Sequence, residues 1–284
     1  MRSKWQRILV TTAIGIGLSA QLAAAREPGC GGRSHDFKSN ARLRMVGLTD
    51  DQRLVHFREC NPARTKSAGA VSGLIGDTAL IGIDFRVQNG KLYGVGDTGG
   101  VYIVDPETAV ATLDSQLTVA LSGTTFGVDF NPAADRLRVI SDTGQNLRHD
   151  LNTDTTTLDT GLAYVPAAVA TIAAGAYTNN DLDPTTATTL FDVDTNLDQI
   201  AVQSPANSGT LAPSGKLTLD VDAGAGFDIT TSLRGGVAVG NRGFATLAAA
   251  GIPGLYRVNL LTGKATLIGK FDTTVVDLAI PLDQ

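Results

Sequence analysis

The sequence predicts an all-β protein and, within that class, a β-propeller of five four-stranded blades. Three observations support this prediction. A unit of about 45 residues recurs along the chain, and its last copy lacks strands that are present near the N-terminus. No segment after residue 25 keeps the 3.6-residue periodicity of an amphipathic helix. Together they favour a closed ring of small antiparallel sheets.

The clearest copies of the unit are residues 81–85 (Ile-Gly-Ile-Asp-Phe) and 126–130 (Phe-Gly-Val-Asp-Phe), which lie 45 residues apart. Each copy is followed by a turn, a second hydrophobic segment, an Asp-Thr-Gly triplet and two further short strands. Aspartic proteases also use a pair of such triplets. Here both occupy the same place in the repeat, where Asp and Gly are typical of a hairpin turn.

The last copy of the unit indicates that the array closes on itself. Three weaker copies continue the series at residues 173–177, 226–229 and 275–280. Only four residues follow the last of these, and its missing strands are predicted at residues 44–48, 53–57 and 70–75. Pairing the two ends completes a blade and removes two exposed sheet edges. Six blades are the alternative if residues 204–222 contain another unit.

The N-terminus predicts export. Arg2, Lys4 and Arg7 precede an apolar stretch and three alanines at positions 23–25, which is the order of a secretory signal peptide. We therefore expect a cleaved signal peptide over residues 1–25, an N-terminal tail over 26–41 and a single propeller domain over 42–284. The expected location is the periplasm or the extracellular medium.

Charge and hydropathy exclude two classes of partner. The formal net charge is −5 and becomes −8 when the three basic residues of the signal peptide are removed. An acidic surface does not favour nucleic acid, whose phosphates require a basic footprint. No later apolar run reaches the roughly 20 residues of a transmembrane helix, so no membrane insertion is expected after cleavage. We expect a monomer that binds a protein, small-molecule or carbohydrate ligand.

The two cysteines, Cys30 and Cys60, predict one disulfide bond. An oxidising compartment favours pairing of two thiols, and the loop of about 30 residues would stabilise the fold by roughly 3 kcal/mol. A metal pair is the alternative, but the histidines needed to complete it do not occur at a useful spacing.

The most regular chemical feature is a carboxylate at one position of the first strand in four of the five units. These residues are Asp84, Asp129, Asp228 and Asp277, and Ala176 interrupts the series. If the first strands line a central channel, these carboxylates converge near the axis. They would then repel one another unless cations, arginines or raised pKa values relieved the repulsion. Arg136, Arg138 and Arg148, all in the second unit, are candidate partners.

Two interpretations of this carboxylate position make different geometric predictions. As ligand-binding or catalytic groups, the four carboxylates would face an open channel that solvent reaches. As structural groups, they would be buried and would bond to backbone amides between blades. The structural interpretation is favoured, and no catalytic residue is assigned.

Calcium is the one metal with support in the sequence. Asp192, Asp194, Asn196 and Asp198 place oxygen ligands two residues apart, as loops that bind hard cations do. Leu197 stands where an EF-hand loop has its glycine, and Asx turns between strands have the same composition. No cofactor is expected.

Five segments resemble a bacterial family known as domain of unknown function 4394. They are residues 81–99, 129–148, 176–180, 189–194 and 254–259. The resemblance spans most of the chain after residue 25. It implies an exported, propeller-like protein without an established activity, and it brings no catalytic residues with it.

Three functions remain open at this stage. The first is an extracytoplasmic binding or interaction module with an unknown ligand. The second is a hydrolase or lyase that acts on a carbohydrate or lactone-type substrate through carboxylates at the propeller axis. The third is a structural protein of the cell surface or matrix. The fold by itself does not discriminate between them.

Overall fold

Short hydrophobic runs separated by Gly and Asx turns form 21 strands in the described part of the computed structural model, which covers residues 43–166, 170–183 and 185–282. In chain order they are β1 (Arg44–Thr49), β2 (Arg53–Arg58), β3 (Asn61–Ala70), β4 (Leu80–Phe85), β5 (Leu92–Gly96), β6 (Gly100–Val104), β7 (Ala111–Gln116), β8 (Phe126–Asn131), β9 (Arg136–Ser141), β10 (Asn146–Asp150), β11 (Thr155–Leu158), β12 (Ala163–Tyr164), β13 (Ile172–Tyr177), β14 (Leu190–Asp194), β15 (Gln199–Gln203), β16 (Thr210–Lys216), β17 (Ala225–Arg234), β18 (Val237–Ala249), β19 (Ile252–Val258), β20 (Ala265–Lys270) and β21 (Val275–Ala279).

The strands form five antiparallel blades arranged as a propeller. Blade 1 contains β4–β7, blade 2 contains β8–β11 and blade 4 contains β17–β20. Blade 3 contains β13–β16, and the short strand β12 pairs in parallel with β16 at its outer edge. Blade 5 has the order β21-β1-β2-β3, so the C-terminal strand pairs with the N-terminal strand β1 and closes the ring. The five-bladed prediction is confirmed.

The six-bladed alternative is excluded, and one strand was placed wrongly. Residues 204–222 do not form a sixth blade: a short 3-10 helix (Ala206–Ser208) leads into β16, the fourth strand of blade 3. The third strand of blade 5 is β3, which starts directly after the turn that follows β2, whereas residues 70–75 were expected to form it. Strand β3 is polar and half of its residues are exposed. Its sequence therefore has no hydrophobic run that would predict a strand.

One apolar cluster fills each of the five seams between neighbouring blades. Strands such as β5 are buried along their whole length because both faces of the blade are covered by neighbours. Tyr102 and Leu80 of blade 1, for example, pack with Leu54 of blade 5, while Tyr93 packs with Phe130 of blade 2. The hydrophobic core is therefore divided into five radial layers around one axis.

Several expectations concern residues outside the described part of the chain. The signal peptide and the whole N-terminal tail lie there, and so does Cys30. Cys60 follows β2 and is partly buried, and its pairing with Cys30 stays a prediction. Within the described residues, no helix is long and apolar enough to cross a bilayer.

Candidate functional site

The first strand of each blade lies at the propeller axis. These inner strands, β21, β4, β8, β13 and β17, contact one another in that order around the ring. Because the repeat places its carboxylate on this strand, the fold brings four distant sequence positions together at the axis.

Each of the four carboxyl groups is buried and forms a latch to the next blade. Asp84, Asp129, Asp228 and Asp277 are only 3–8% exposed. Each accepts a hydrogen bond from a backbone N–H of the neighbouring inner strand or of the residue that follows it. The partners are Phe130 N for Asp84 Oδ2 (2.8 Å), Tyr177 N for Asp129 Oδ1 (2.9 Å), Ile280 N for Asp228 Oδ2 (2.6 Å) and Ile83 N for Asp277 Oδ2 (2.8 Å). This is the geometry of the structural interpretation.

The four latches leave one seam without a carboxylate. Ala176 occupies the position in blade 3, so the seam between blades 3 and 4 has no equivalent bond from the axis. Side chains of the following loop contact blade 4 in its place. Asn180 donates from Nδ2 to the carbonyl of Ile229 (3.1 Å), and its backbone N–H donates to Thr231 Oγ1 (3.0 Å).

The four latch carboxylates have strongly perturbed pKa values. One oxygen each of Asp84, Asp129 and Asp228 lies within 4.8 Å of the others. Burial, and then repulsion from the neighbouring carboxylates, raises the pKa values of Asp84 and Asp129 well above the ordinary range. Burial raises the pKa of Asp228 to about 7, and burial also raises that of Asp277. The ring therefore holds protons at a pH where exposed aspartates are ionised.

The candidate arginine partners do not neutralise this ring. Arg138 pairs with Asp129 across the sheet, but its guanidinium bonds to Asp159 (2.8 Å), Asn207 (2.7 Å) and Tyr177 Oη (3.2 Å) in and near the seam with blade 3. Arg136 and Arg148 form ion pairs as well, with Asp150 and Asp159 respectively. Arg138 is thus a buried element of a seam.

The calcium candidates belong to the hairpin between β14 and β15, and the structure does not gather their carboxylates. Asp192 is fully buried on the strand, and neither of its oxygens has a hydrogen-bond partner. Asp194 accepts from the backbone of Asn196 (3.1 Å) as an Asx turn does, and Asp198 accepts from Val221 N (2.9 Å). Among the described residues, Asp84, Asp129 and Asp228 form the one close group of potential metal ligands.

A funnel opens on the axis at the end where the inner strands begin. Its volume is about 340 Å³, and residues from or next to all five inner strands line it. The lining residues are Leu80, Ile81, Thr124, Thr125, Phe126, Ala173, Ala223, Gly224, Ala225, Thr246, Leu247, Ala248, Pro253, Thr274, Val275 and Val276. None of them is titratable, and none of the four latch aspartates is among them. The walls are apolar with a few hydroxyl groups.

The Asp-Thr-Gly triplets support the rim of this funnel. Asp142 accepts from Thr124 through both its backbone N–H (2.9 Å) and its hydroxyl (2.6 Å). Asp97 makes the same pair of bonds with Thr78 in blade 1. Each carboxylate therefore fixes the residues that enter an inner strand of its own blade. The turn interpretation accounts for both triplets.

A layer of glycines separates the funnel from the latch aspartates. Its role in closing the axis was not predicted from the sequence. Gly82, Gly127 and Gly226 each lie two residues before a latch aspartate. A Cβ atom at Gly82 would approach Val128 Cγ2 to 2.6 Å, and one at Gly127 would approach the backbone N of Gly175 to 2.6 Å. These glycines let adjacent inner strands meet at the axis. The repeated Gly-x-Asp spacing was visible in the sequence, and it could have indicated a closed axis.

The comparison with protein families identifies the chain. The family described as domain of unknown function (DUF4394) matches residues 53–279. The chain belongs to this family, and the resemblance stated from the sequence is confirmed. No curated protein matches the chain.

Three solved structures are similar to the chain at low sequence identity. A protein of unknown function from Bacteroides thetaiotaomicron VPI-5482 is 13% identical with a TM-score of 0.47, and the match covers 89% of this chain and 64% of that one. An auxiliary nutrient binding protein from Bacteroides ovatus ATCC 8483 is 12% identical with a TM-score of 0.40, covering 78% and 57%. The dihydro-heme d1 dehydrogenase NirN is 10% identical with a TM-score of 0.39, covering 86% and 48%. The chain thus spans less than two thirds of the length of each of these three proteins.

Proposed function

We propose that this member of the DUF4394 family is an exported binding protein that takes a small uncharged ligand in its axial funnel. The observation that carries the proposal is the funnel itself, which has a volume of about 340 Å³ and a lining drawn from all five blades. Small-molecule pockets have this size and are largely apolar, with few polar groups that orient the ligand.

The lining determines the class of ligand. Leu80, Phe126 and Val275 supply apolar wall, while Thr125 and Thr274 supply hydroxyl groups near the rim. A charged ligand would lose hydration there without finding an opposite charge, since none of the described residues that line the funnel is ionisable. A compact, mainly apolar molecule with one or two hydroxyl or carbonyl groups would bury its surface and keep its hydrogen bonds.

The position of the carboxylates supports binding ahead of catalysis. A hydrolase or lyase acting through Asp84, Asp129, Asp228 and Asp277 would need at least one carboxyl group within reach of a substrate. All four are buried beyond the glycine layer and engaged with backbone N–H groups. Export to the periplasm or medium is part of the proposal and rests on the signal-peptide pattern of residues 1–25.

A variant that fills the funnel tests the proposal. Thr125 lines the funnel and is partly exposed, so Thr125→Trp would occupy the cavity with little change to the core. Thr157→Trp adds the same side chain on the exposed outer strand β11 and is the matched control. The probe is N-phenyl-1-naphthylamine, an uncharged fluorophore whose emission rises in apolar sites.

We expect saturable binding of the probe to the wild-type chain, at least tenfold weaker binding to Thr125→Trp, and unchanged binding to Thr157→Trp. Thermal unfolding of both variants verifies that they are folded. Equal affinity of the wild type and Thr125→Trp, or the absence of saturable binding to the wild type, would overturn the proposal.

A further inference from the structure

A basic cleft lies on the outer part of blade 5, where it faces the β6–β7 turn of blade 1. Its volume is about 700 Å³, larger than that of the axial funnel. The residues that line this basic cleft are Arg44, His56, Phe57, Arg58, Asn61, Arg64, Thr65, Lys66 and Glu107. Among the described residues, four permanently cationic side chains and one carboxylate line this cavity.

The β-sheet register groups basic side chains in this cleft. Arg44 lies opposite Arg58 across strands β1 and β2, and His56 lies opposite Lys66 across β2 and β3. Two directly opposed arginines repel each other, and a bound anion would relieve that repulsion.

Three of the cleft's cations have no carboxylate partner within the described part of the chain. Arg58, Arg64 and Lys66 form no ion pair within the described residues, and the side chain of Glu107 is 76% exposed. His56 is held by a hydrogen bond from its Nε2 to the carbonyl of Pro106 (2.7 Å). Concentrated positive charge on a chain of net charge −5 creates a local potential that attracts anions.

The cleft extends toward the propeller face. A second cavity of about 350 Å³ shares Arg44, His56 and Glu107 with it, and it continues to Phe85 and Gly90 of blade 1. The two cavities together have far more volume than a single inorganic ion fills, and their cationic residues come from three strands, β1, β2 and β3. This arrangement suits a molecule that carries several anionic groups.

We propose that this basic cleft binds a small oligoanion that carries phosphate or sulfate esters. The planar guanidinium groups of Arg58 and Arg64 match the paired oxygens of such esters, and Lys66 adds a point charge. The chain's own tail is a poor occupant, because residues 26–41 contain three basic and two acidic residues. The site is separate from the axial funnel and uses different chemistry.

Calorimetric titration of the purified full chain tests the proposal with two probes, inorganic tripolyphosphate and a trisulfated heparin disaccharide. The cleft variant is Arg58→Gln with Arg64→Gln. The control is Arg234→Gln with Lys264→Gln, which removes the same charge from exposed positions that line neither cavity of the groove. Low-salt buffer (50 mM NaCl) limits screening.

We expect at least one probe to bind, with affinity at least tenfold weaker in the cleft variant and within threefold of wild type in the control. The better probe then identifies the phosphate or sulfate class. Failure of both probes to bind, or equal losses in the two variants, would overturn the proposal. Thr125→Trp should leave oligoanion binding unchanged, so this result is independent of the axial funnel.

Discussion

The two seams on either side of blade 3 are held together by different interactions. Toward blade 2, Asp129 latches Tyr177, and the buried Arg138 bonds to Asp159 and Asn207. The apolar cluster of that seam contains six buried residues in the described part of the chain. Toward blade 4, the latch is replaced by Ala176, and the apolar cluster contains sixteen buried residues by the same count.

This difference shows that neighbouring blades can be joined either by a carboxylate latch or by apolar packing. A carboxylate that accepts a backbone N–H fixes the register between inner strands, but it must be desolvated and brought close to other carboxylates. Apolar packing gives no such register and carries no electrostatic cost. At the seam between blades 3 and 4, the hydrogen bond from Asn180 N to Thr231 Oγ1 fixes the register in place of a latch. This bond lies away from the axial carboxylates. Four latches and one packed seam thus limit the repulsion at the axis.

The largest expected effect comes from breaking the polar seam. Arg138→Met removes a guanidinium that is 3% exposed and leaves Asp159, 6% exposed, without its buried partner. Loss of one member of a buried ion pair costs about 3–5 kcal/mol, so the free energy of unfolding in urea should fall by that amount. Arg148→Met removes the second, 33% exposed partner of Asp159 and should cost less than about 1 kcal/mol. Similar losses in both variants would show that burial does not govern this seam.

A smaller effect is expected from adding the missing carboxylate. Ala176→Asp places a fifth acid at the axis, inside the apolar cluster between blades 3 and 4. We expect it to lower the free energy of unfolding by about 2–3 kcal/mol at pH 7, because the new group is overpacked, desolvated and repelled by the ring. Ala176→Asn, of nearly equal size and uncharged, is the control and should lose less. An Asp variant as stable as the Asn variant would mean that a fifth latch offsets its own repulsion.

The sequence predicted the features that follow from local repetition. Aligned strands placed Asp84, Asp129, Asp228 and Asp277 at one position, and the truncated last unit indicated that β21 pairs with β1. Such features depend on spacing along the chain, which the sequence displays directly.

The features that depend on packing between blades were not predictable in this way. Arg138 was a candidate partner of the axial carboxylates, yet it bonds to Asn207, which is 69 residues away, and to Tyr177. The funnel combines residues that flank five inner strands, and no single segment has the composition of a pocket. The axis is closed because the inner strands approach so closely that Gly82 and Gly127 leave no room for a Cβ atom. Only the three-dimensional structure shows this close approach.

The smallest expected effect isolates the proton linkage of the ring. Burial first, and then repulsion from Asp228, raises the pKa of Asp84 above its ordinary value. A raised folded-state pKa gives a contribution to stability that is complete below about pH 4 and is lost as the pH rises through the folded-state value. Asp84→Asn keeps an oxygen for Phe130 N and removes the ionisable group, so its free energy of unfolding relative to wild type should rise between pH 5 and pH 8.

Urea unfolding at four pH values measures this difference directly. His149 and Asp192, whose pKa values are also shifted by burial, are present in both proteins, so their contributions cancel. Asp142→Asn is the matched control. Burial raises the pKa of Asp142, but the stronger combined effect of hydrogen bonds from Thr124 lowers it, so this carboxylate is ionised throughout the range. Parallel pH profiles for wild type and Asp84→Asn would show that the ring does not exchange protons in this range. The contribution of the Asp84 latch would then be independent of pH in this range, and the absence of a latch at Ala176 would need a cause other than charge.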